Sequence, residues 1–457
     1  MLATNAGWNT VIIVKNNSVI AELQDVLAKQ PKCLQVAVAF SGGIDSHVLL
    51  HAIKQLSTTF PECDFRAIHI NHGLSPSSSA WEAHCIEICQ ELAISLTVQH
   101  ANINRKGGES LEALARTTRY ALLADVLIPS EYLLTAHTAD DQAETFLLQA
   151  LRGAGPKGLS AMPLVKSFSD GYLLRPLLAV SREEIECYAS FYKLLWVEDE
   201  SNLETHFDRN FLRHNVIPSL KKRWPHLLKT LPRAAEHCAN SSFLTDEIAA
   251  SDMSNLSDER NNTLLINGLI DLSTKRQSNV IRYWLHQNGC SLPSTQQLQQ
   301  INRDILQARP DAMPTFQWGN HLLRRYQNAL YITPLLVDFP TQQFSAIWNL
   351  EKPLQLPDNS RLLAIKCQGK GINLGVSNCV QVNFRSGGEK LNLQEKSGSK
   401  TLKNLFQQWS IPPWKRSVIP LIWANEVLVS VVDYCIAHDY KASEGQEGWV
   451  IVREPSC

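Results

Sequence analysis

The chain has 457 residues, 44% of them apolar and 19% charged, values of a globular protein rather than a disordered one. That length points to two or three domains with enough chain for a real core. A formal net charge of −1 excludes a wholly basic nucleic-acid binder, so any surface for nucleic acid has to be local.

The 11 cysteines are odd in number and scattered, with no C-x-x-C pair. That suits free thiols in a reducing compartment better than a disulfide frame or a zinc site. The apolar run Val11 to Val14 is too short for a signal segment or a membrane helix, and no later uncharged run is long enough. The expectation is a soluble, cytoplasmic protein with no membrane partner.

In chain order, Ser18 to Lys29 is amphipathic, Leu34 to Phe40 reads as a strand and Ser46 to Leu56 as a helix. Strands follow at Phe65 to Asn71, Ser95 to His100 and Tyr132 to His137. Helices fall between and after them, at Ser79 to Leu92, Ser110 to Leu127 and Ala139 to Leu151. This alternation predicts an α/β fold, a doubly wound parallel sheet whose ligands bind at the carboxyl ends of its strands. Beyond a flexible basic loop, Arg152 to Gly158, Tyr172 to Leu178 is a candidate short strand. Ser181 to Tyr192 is a helix opened by a capping box, Ser181 with Glu184. A boundary is expected near Pro218 to Pro225, a mainly helical region over 226–312, and a small α+β region over 313–457. There short apolar runs (His321 to Leu323, Ala329 to Thr333, Val380 to Phe384, Val418 to Trp423, Glu426 to Val432) are separated by Gly, Pro and Asn.

Three blocks carry chemistry. Ser41-Gly42-Gly43-Ile44-Asp45-Ser46 joins the first strand to its helix. Two glycines let backbone approach a ligand closely, and the first N–H groups of a helix favour an anion. Ser46 can also cap the helix. No lysine follows, so this is not a Walker A loop. The plain alternative is an ordinary glycine turn. In the second block, Glu112, Arg116 and Arg119 share one helix face. They are either a surface ion pair or guanidinium groups placed for a phosphate. In the third, Asp140, Asp141 and Glu144 open a helix after His137. They suit either the helix dipole or Mg²⁺ on nucleotide phosphates. His137 alone is more often a structural histidine at a strand end.

Together, S-G-G-x-D-S, L-E-x-x-A-R-x-x-R-Y (111–120) and T-A-H-x-x-D-D-Q-x-E-T (135–145) resemble the tRNA(Ile)-lysidine synthetase family, within the PP-loop superfamily of ATP pyrophosphatases. L-R-G-x-G from Leu151, R-P-L-L from Arg175, E-D-x-S-N from Glu198 and F-x-R-N-x-x-R from Phe207 add to the likeness, which is strong over residues 33–218. It continues more weakly in Phe384 to Lys390. One departure is Asn71-His72-Gly73-Leu74-Ser75, where the family usually has an arginine after H-G-L.

The resemblance implies a ligase. It uses ATP to adenylate the carbonyl oxygen of the wobble cytidine in an isoleucine tRNA with a CAU anticodon. The ε-amine of free L-lysine then displaces AMP. It further implies ATP on Ser41, Gly42, Gly43, Ile44, Asp45, Ser46 and His137, Mg²⁺ or the attacking groups on Asp45, Asp140 and Asp141, and catalytic roles for Asp45, Arg116, Arg119 and Asp141. Some members are homodimers.

Two local basic stretches suit a tRNA. Arg209, Arg213, Lys221, Lys222, Arg223 and Lys229 face only Asp208. Arg385, Lys390, Lys396, Lys400, Lys403, Lys415 and Arg416 face Glu389 and Glu395, with Trp409 and Trp414 available to stack on bases. Core packing is the alternative for the tryptophans. Two other readings stand beside the ligase: a tRNA thiolase, disfavoured by the missing C-x-x-C, and a non-enzymatic RNA-binding module.

Overall fold

The computed structural model describes residues 18–30, 35–102, 111–198, 207–258, 262–309, 311–335, 344–375, 377–394 and 398–454. Leu34, Ser110, Asp199 to Asn202, Glu395, Lys396 and the side chain of Glu112 lie outside the described residues. Two compact units divide the chain, residues 1–247 and 248–457.

The first unit is built on a six-stranded sheet. Its strands are β1 (Gln35–Ala39), β2 (Asp64–Asn71), β3 (Ser95–His100), β4 (Tyr132–Leu134), β5 (Val165–Phe168) and β6 (Gly171–Leu174). They lie in the order β3-β2-β1-β4-β6-β5. All neighbours are parallel except β5, which returns antiparallel on β6. Central strands of such a sheet are covered on both faces and need continuous apolar sequence. Val36, Ala37 and Val38 of β1 and Leu133 and Leu134 of β4 are accordingly buried.

The helices are α1 (18–28), α2 (Ile44–Leu56), α3 (Ser78–Glu91), α4 (Leu111–Asp125), α5 (Ala139–Leu151), α6 (Pro156–Leu159) and α7 (Arg182–Tyr192). Val19, Leu23, Leu49, Ile53, Cys85, Ile88, Ile185 and Tyr188 place α1, α2, α3 and α7 in the core on one side of the sheet. Leu123 and Tyr120 of α4 pack against Ile68, Leu133 and Leu173 on the other. Strand order reverses between β1 and β4, the place where such sheets bind ligands at the carboxyl ends of their strands. Two short helices, α8 (Asp208–Phe211) and α9 (Ile217–Arg223), flank a π-helical turn, Leu212–Val216. Ile217 and Leu227 pack on Ala143 of α5.

The second unit contains a helical layer and antiparallel sheets. One five-stranded sheet runs Ser257–Asp258, Thr263–Leu265, Ala329–Pro334, His321–Tyr326, Thr315–Trp318. Its core is filled by Trp284 and Leu285 from the helix Thr274–Gln287. Another runs Ser345–Asn349, Cys379–Asn383, Leu421–Ala424, Val427–Val431, Cys435–Ile436. The described cysteines are free thiols. Among the described residues no helix is long and apolar enough to cross a membrane.

Candidate active site

The turn after β1 is shaped by glycine. Gly42 has φ +83°, and a Cβ there would sit 3.0 Å from Cys85 Sγ and 3.1 Å from Val197 Cγ2. No side-chain residue fits both the conformation and the space. Gly42 O accepts the Val197 N–H at 3.1 Å. The cap differs from the expectation for Ser46: α2 starts from Gly43, one turn earlier, and no side chain caps it. Ser46 Oγ donates instead to Gly43 O at 2.9 Å, accepts the Ser41 N–H at 3.2 Å and lies 3.0 Å from Ser41 Oγ. The two serines close the loop on itself, and the positive end of α2 is left open to an anion.

The acidic block caps its helix and binds cationic side chains. Thr138 caps α5, and Asp141 Oδ2 accepts the Thr138 N–H at 2.9 Å in a capping box. The other oxygen, Oδ1, accepts from Arg209 Nη2 and Arg213 Nη2, both at 2.9 Å. Glu144, 1% exposed, accepts from Arg209 Nε at 2.7 Å and Arg213 Nε at 2.6 Å. Asp140 holds Lys221 Nζ at 2.7 Å and the Arg182 N–H at 2.7 Å. Arg182 reaches back to the glycine turn, where its Nη1 lies 2.8 Å from both Asp45 oxygens. Asp45, Asp140 and Asp141 thus belong to one charged lattice that ties α2, α5, α7, α8 and α9 together.

Burial pushes the Asp45 carboxyl up to about 6; the charge of Asp141 adds to the rise, while Arg182 and Arg213 oppose it. Burial would raise Asp141 too. Arg209, the Thr138 amide and Arg213 outweigh it and hold Asp141 below the usual carboxylate range. His137, 2.9 Å from Thr135 Oγ1, is pushed down to about 4 by burial, against the pull of Asp141 and with the push of Arg175, Arg209 and Arg116. It is neutral at physiological pH.

The opposite wall carries surplus positive charge. Arg116 and Arg119 both lie over the Tyr120 ring, 5.2 and 5.5 Å from its centroid. Burial lowers the pKa of Arg119, and neighbouring Arg116 and Arg209 lower it further. Among the described residues no carboxylate is ion-paired with Arg119. Arg175 is 7% exposed, donates to Pro163 O at 2.7 Å and keeps a buried Nε without a partner. His72 has a buried, partnerless Nδ1, and burial and the charge of Arg119 lower its pKa. A buried Arg175, a half-buried Arg119 and unpaired donors of this kind call for a polyanion.

Mg²⁺ suits the donor chemistry. Asp45 and Asp141 carry hard oxygens, all of them engaged by Arg182, Arg209, Arg213 or the Thr138 N–H, so a cation there would take the place of arginine contacts. Among the described residues no group of three or more His, Cys, Asp or Glu is arranged to hold a metal. Ligand phosphates and water would complete the shell.

Sequence reasoning placed Arg209, Arg213 and Lys221 on an RNA surface; the structure places them on site carboxylates. Arg182 and Arg175 were not singled out as site residues, and Glu144, read as a candidate for the helix dipole or Mg²⁺, is bound by Arg209 and Arg213. The available signals were the F-x-R-N-x-x-R spacing, which sets Arg209 and Arg213 four apart, and the position of Arg182 directly after a helix cap. In the second unit Trp414 is packed rather than offered to a base. Arg324 lies over it at 5.0 Å, and Tyr326 and Tyr331 meet it edge-on at 6.1 and 5.4 Å. Trp409 stacks on Tyr434 at 5.8 Å. Arg416 donates to Ile411 O and the Tyr326 hydroxyl. Lys222, Arg223, Lys229, Lys390, Lys400 and Lys403 are exposed.

Residues 15–220 match the family model of a PP-loop domain, residues 264–331 that of a TilS substrate binding domain, and residues 380–453 that of a TilS substrate C-terminal domain. The chain is 43% identical over 420 residues to the tRNA(Ile)-lysidine synthase of Coxiella burnetii (strain RSA 493 / Nine Mile phase I), covering 92% of this chain and 93% of the relative. It is 39% identical over 440 residues to that of Serratia proteamaculans (strain 568), covering 95% and 98%. It is 37% identical over 432 residues to that of Legionella pneumophila (strain Lens), covering 93% and 97%.

Proposed function

The chain belongs to the tRNA(Ile)-lysidine synthase family, and from that premise we propose how its residues divide the reaction. The protein is an ATP-using ligase that forms a C–N bond, making lysidine on tRNA(Ile). The observation that carries the assignment of roles is the uncapped α2 terminus at the strand crossover, together with a carboxylate lattice and with Arg119, which is ion-paired with no carboxylate among the described residues.

ATP phosphates rest on the Ser41–Ser46 turn, against the N–H groups that open α2, with neutral His137 beside the nucleotide. The C2 carbonyl oxygen of the wobble cytidine attacks the α-phosphorus, and pyrophosphate leaves. Arg116 and Arg119 neutralise the charge that grows on the departing phosphates. Asp45 and Asp141 would hold Mg²⁺, whose charge would draw electron density from the phosphates. Asp140 belongs to the same acidic group, and its bonds to Lys221 and Arg182 brace it. The lysine ε-nitrogen, deprotonated, then bonds to C2. The C2–O bond breaks, and the oxygen departs on AMP.

We assign residues 1–218 to ATP and catalysis and residues 226–312 and 313–457 to tRNA, in the cytoplasm. The exposed cations Lys222, Arg223, Lys229, Lys390, Lys400 and Lys403 support that division. Labelled L-lysine should enter the CAU-anticodon isoleucine tRNA only with ATP present, and a tRNA with uridine at position 34 should take none. Incorporation into the uridine variant would refute the wobble-cytidine assignment. Incorporation of sulfur instead of lysine would favour the thiolase reading.

A further inference from the structure

A concavity lies at the carboxyl ends of β2 and β3, on the side of β2 away from β1. It encloses about 400 Å³ and is lined by Asn71, Ser78, Ser79, Glu82, Ile86 and His100 among others. Asn71 and Gly73 lie on its wall and bracket His72, whose electrostatic neighbour is Arg119. The cavity therefore lies one residue from His72 and beside the arginine assigned to the reacting phosphates, where the attacking base has to come.

Its polar centre is Glu82. One oxygen, Oε2, accepts from Asn71 Nδ2 at 2.6 Å and lies 3.0 Å from His100 Nε2. The Asn71 hydrogen bond holds the carboxyl below its ordinary pKa, with His100 helping, so it is charged at neutral pH. Asn71 is itself fixed, since its Oδ1 accepts the Gly73 N–H at 2.9 Å. Oε1 makes no hydrogen bond among the described residues. The arrangement is a pre-aligned acceptor in a small cavity with Ile86 on its wall and the hydroxyls of Ser78 and Ser79 beside it.

Single-stranded RNA is read by splaying a base out and hydrogen-bonding its edge. A carboxylate accepts from an exocyclic amine and repels a carbonyl at the same place. We propose that this cavity receives the anticodon base next to the wobble cytidine, the adenine of CAU, with Glu82 Oε1 accepting from its N6 amine. The inference rests on the tRNA reading of the main site and adds a base-reading site to it.

The test compares tRNA(Ile) carrying adenosine or inosine at position 35, since inosine replaces the N6 amine by a carbonyl and turns N1 from an acceptor into an N–H donor. With the full-length wild-type protein, kcat/KM for lysidine formation should fall about tenfold or more on inosine. Glu82→Gln, whose amide can donate to the carbonyl, should bring the adenosine-to-inosine ratio close to one. Ile86→Trp fills the cavity from a position 37% exposed and should raise KM for tRNA with KM for ATP and lysine unchanged. Thermal unfolding checks that both variants are folded. Equal rates on the two tRNAs, or an unchanged ratio in Glu82→Gln, would overturn the proposal. A rise in KM for lysine rather than tRNA would overturn it in favour of an amine site. No lysidine on the adenosine tRNA would mean that the main functional reading had failed instead.

Discussion

Asp45 and Arg182, 137 residues apart in the chain, form a two-oxygen ion pair: one guanidinium nitrogen lies 2.8 Å from both carboxylate oxygens. It joins the glycine turn on α2 to the start of α7, and a second bond, from the Arg182 N–H to Asp140, extends the link to α5. The ion pair does not fully offset burial, which still lifts Asp45 to about 6.

This predicts a pH dependence with a definite sign. The folded-state value lies above the ordinary 3.8, so folding favours the protonated carboxyl. The cost to stability is absent below pH of about 4, grows up to about 6 and is complete above that. AMP formation, which on this account needs the carboxylate, should fall as pH drops through about 6. Raising Mg²⁺ should move that limb to lower pH, and Asp45→Asn should abolish most of the activity. A limb indifferent to Mg²⁺ would argue against Asp45 as its ligand.

Arg119 is half-buried among like charges, so its removal should separate stability from function. Arg119→Met keeps the packing on Tyr120. It should leave the unfolding free energy unchanged or raise it by up to about 1 kcal/mol, and it should lower the adenylation rate about 100-fold or more. A destabilised variant with a normal rate would show that the arginine is structural.

Glu144 should behave in the opposite way. Glu144→Gln removes one of the two carboxylate charges that Arg209 and Arg213 share, the other being Asp141. Both arginines are about a third exposed, so the loss should be about 2–3 kcal/mol, below that of a fully buried pair. Urea denaturation measures it. A cost near zero would mean that Asp141 alone holds the two arginines.

In the second unit Lys400 and Lys403 are exposed cations, whereas Lys415 lies over Tyr331 at 5.7 Å. Replacing Lys400 and Lys403 with alanine should weaken tRNA binding. The slope of log K against log salt should become shallower by about 1–2. Trp414→Phe, at a packed position, should leave that slope unchanged. An altered slope for Trp414→Phe and none for the lysines would reverse the assignment.

The alternation of apolar strands and amphipathic helices made the sheet legible, because central parallel strands tolerate few polar residues. The edge strand Val165–Phe168 escaped notice: two of its four residues are exposed and it is short. The glycine turn and the acidic pair were legible from local spacing. The partners of those acids were not. A cation's acceptor across 137 or 68 residues of sequence leaves no local pattern, so Arg209, Arg213 and Lys221 looked like free positive charge. Trp414 was ambiguous for a related reason, since a tryptophan beside lysines serves equally as a base platform or as a wedge between elements. The ring contacts of Tyr326, Tyr331 and Arg324 support the second.

The central claim is that ATP activates the wobble cytidine through its own carbonyl oxygen, which later leaves on AMP. Labelling that oxygen with ¹⁸O in tRNA(Ile) and analysing the products by mass spectrometry tests it most directly. The account predicts one ¹⁸O in the released AMP, none in pyrophosphate and none in the lysidine base. Label retained in the tRNA, or AMP carrying only solvent oxygen, would contradict it.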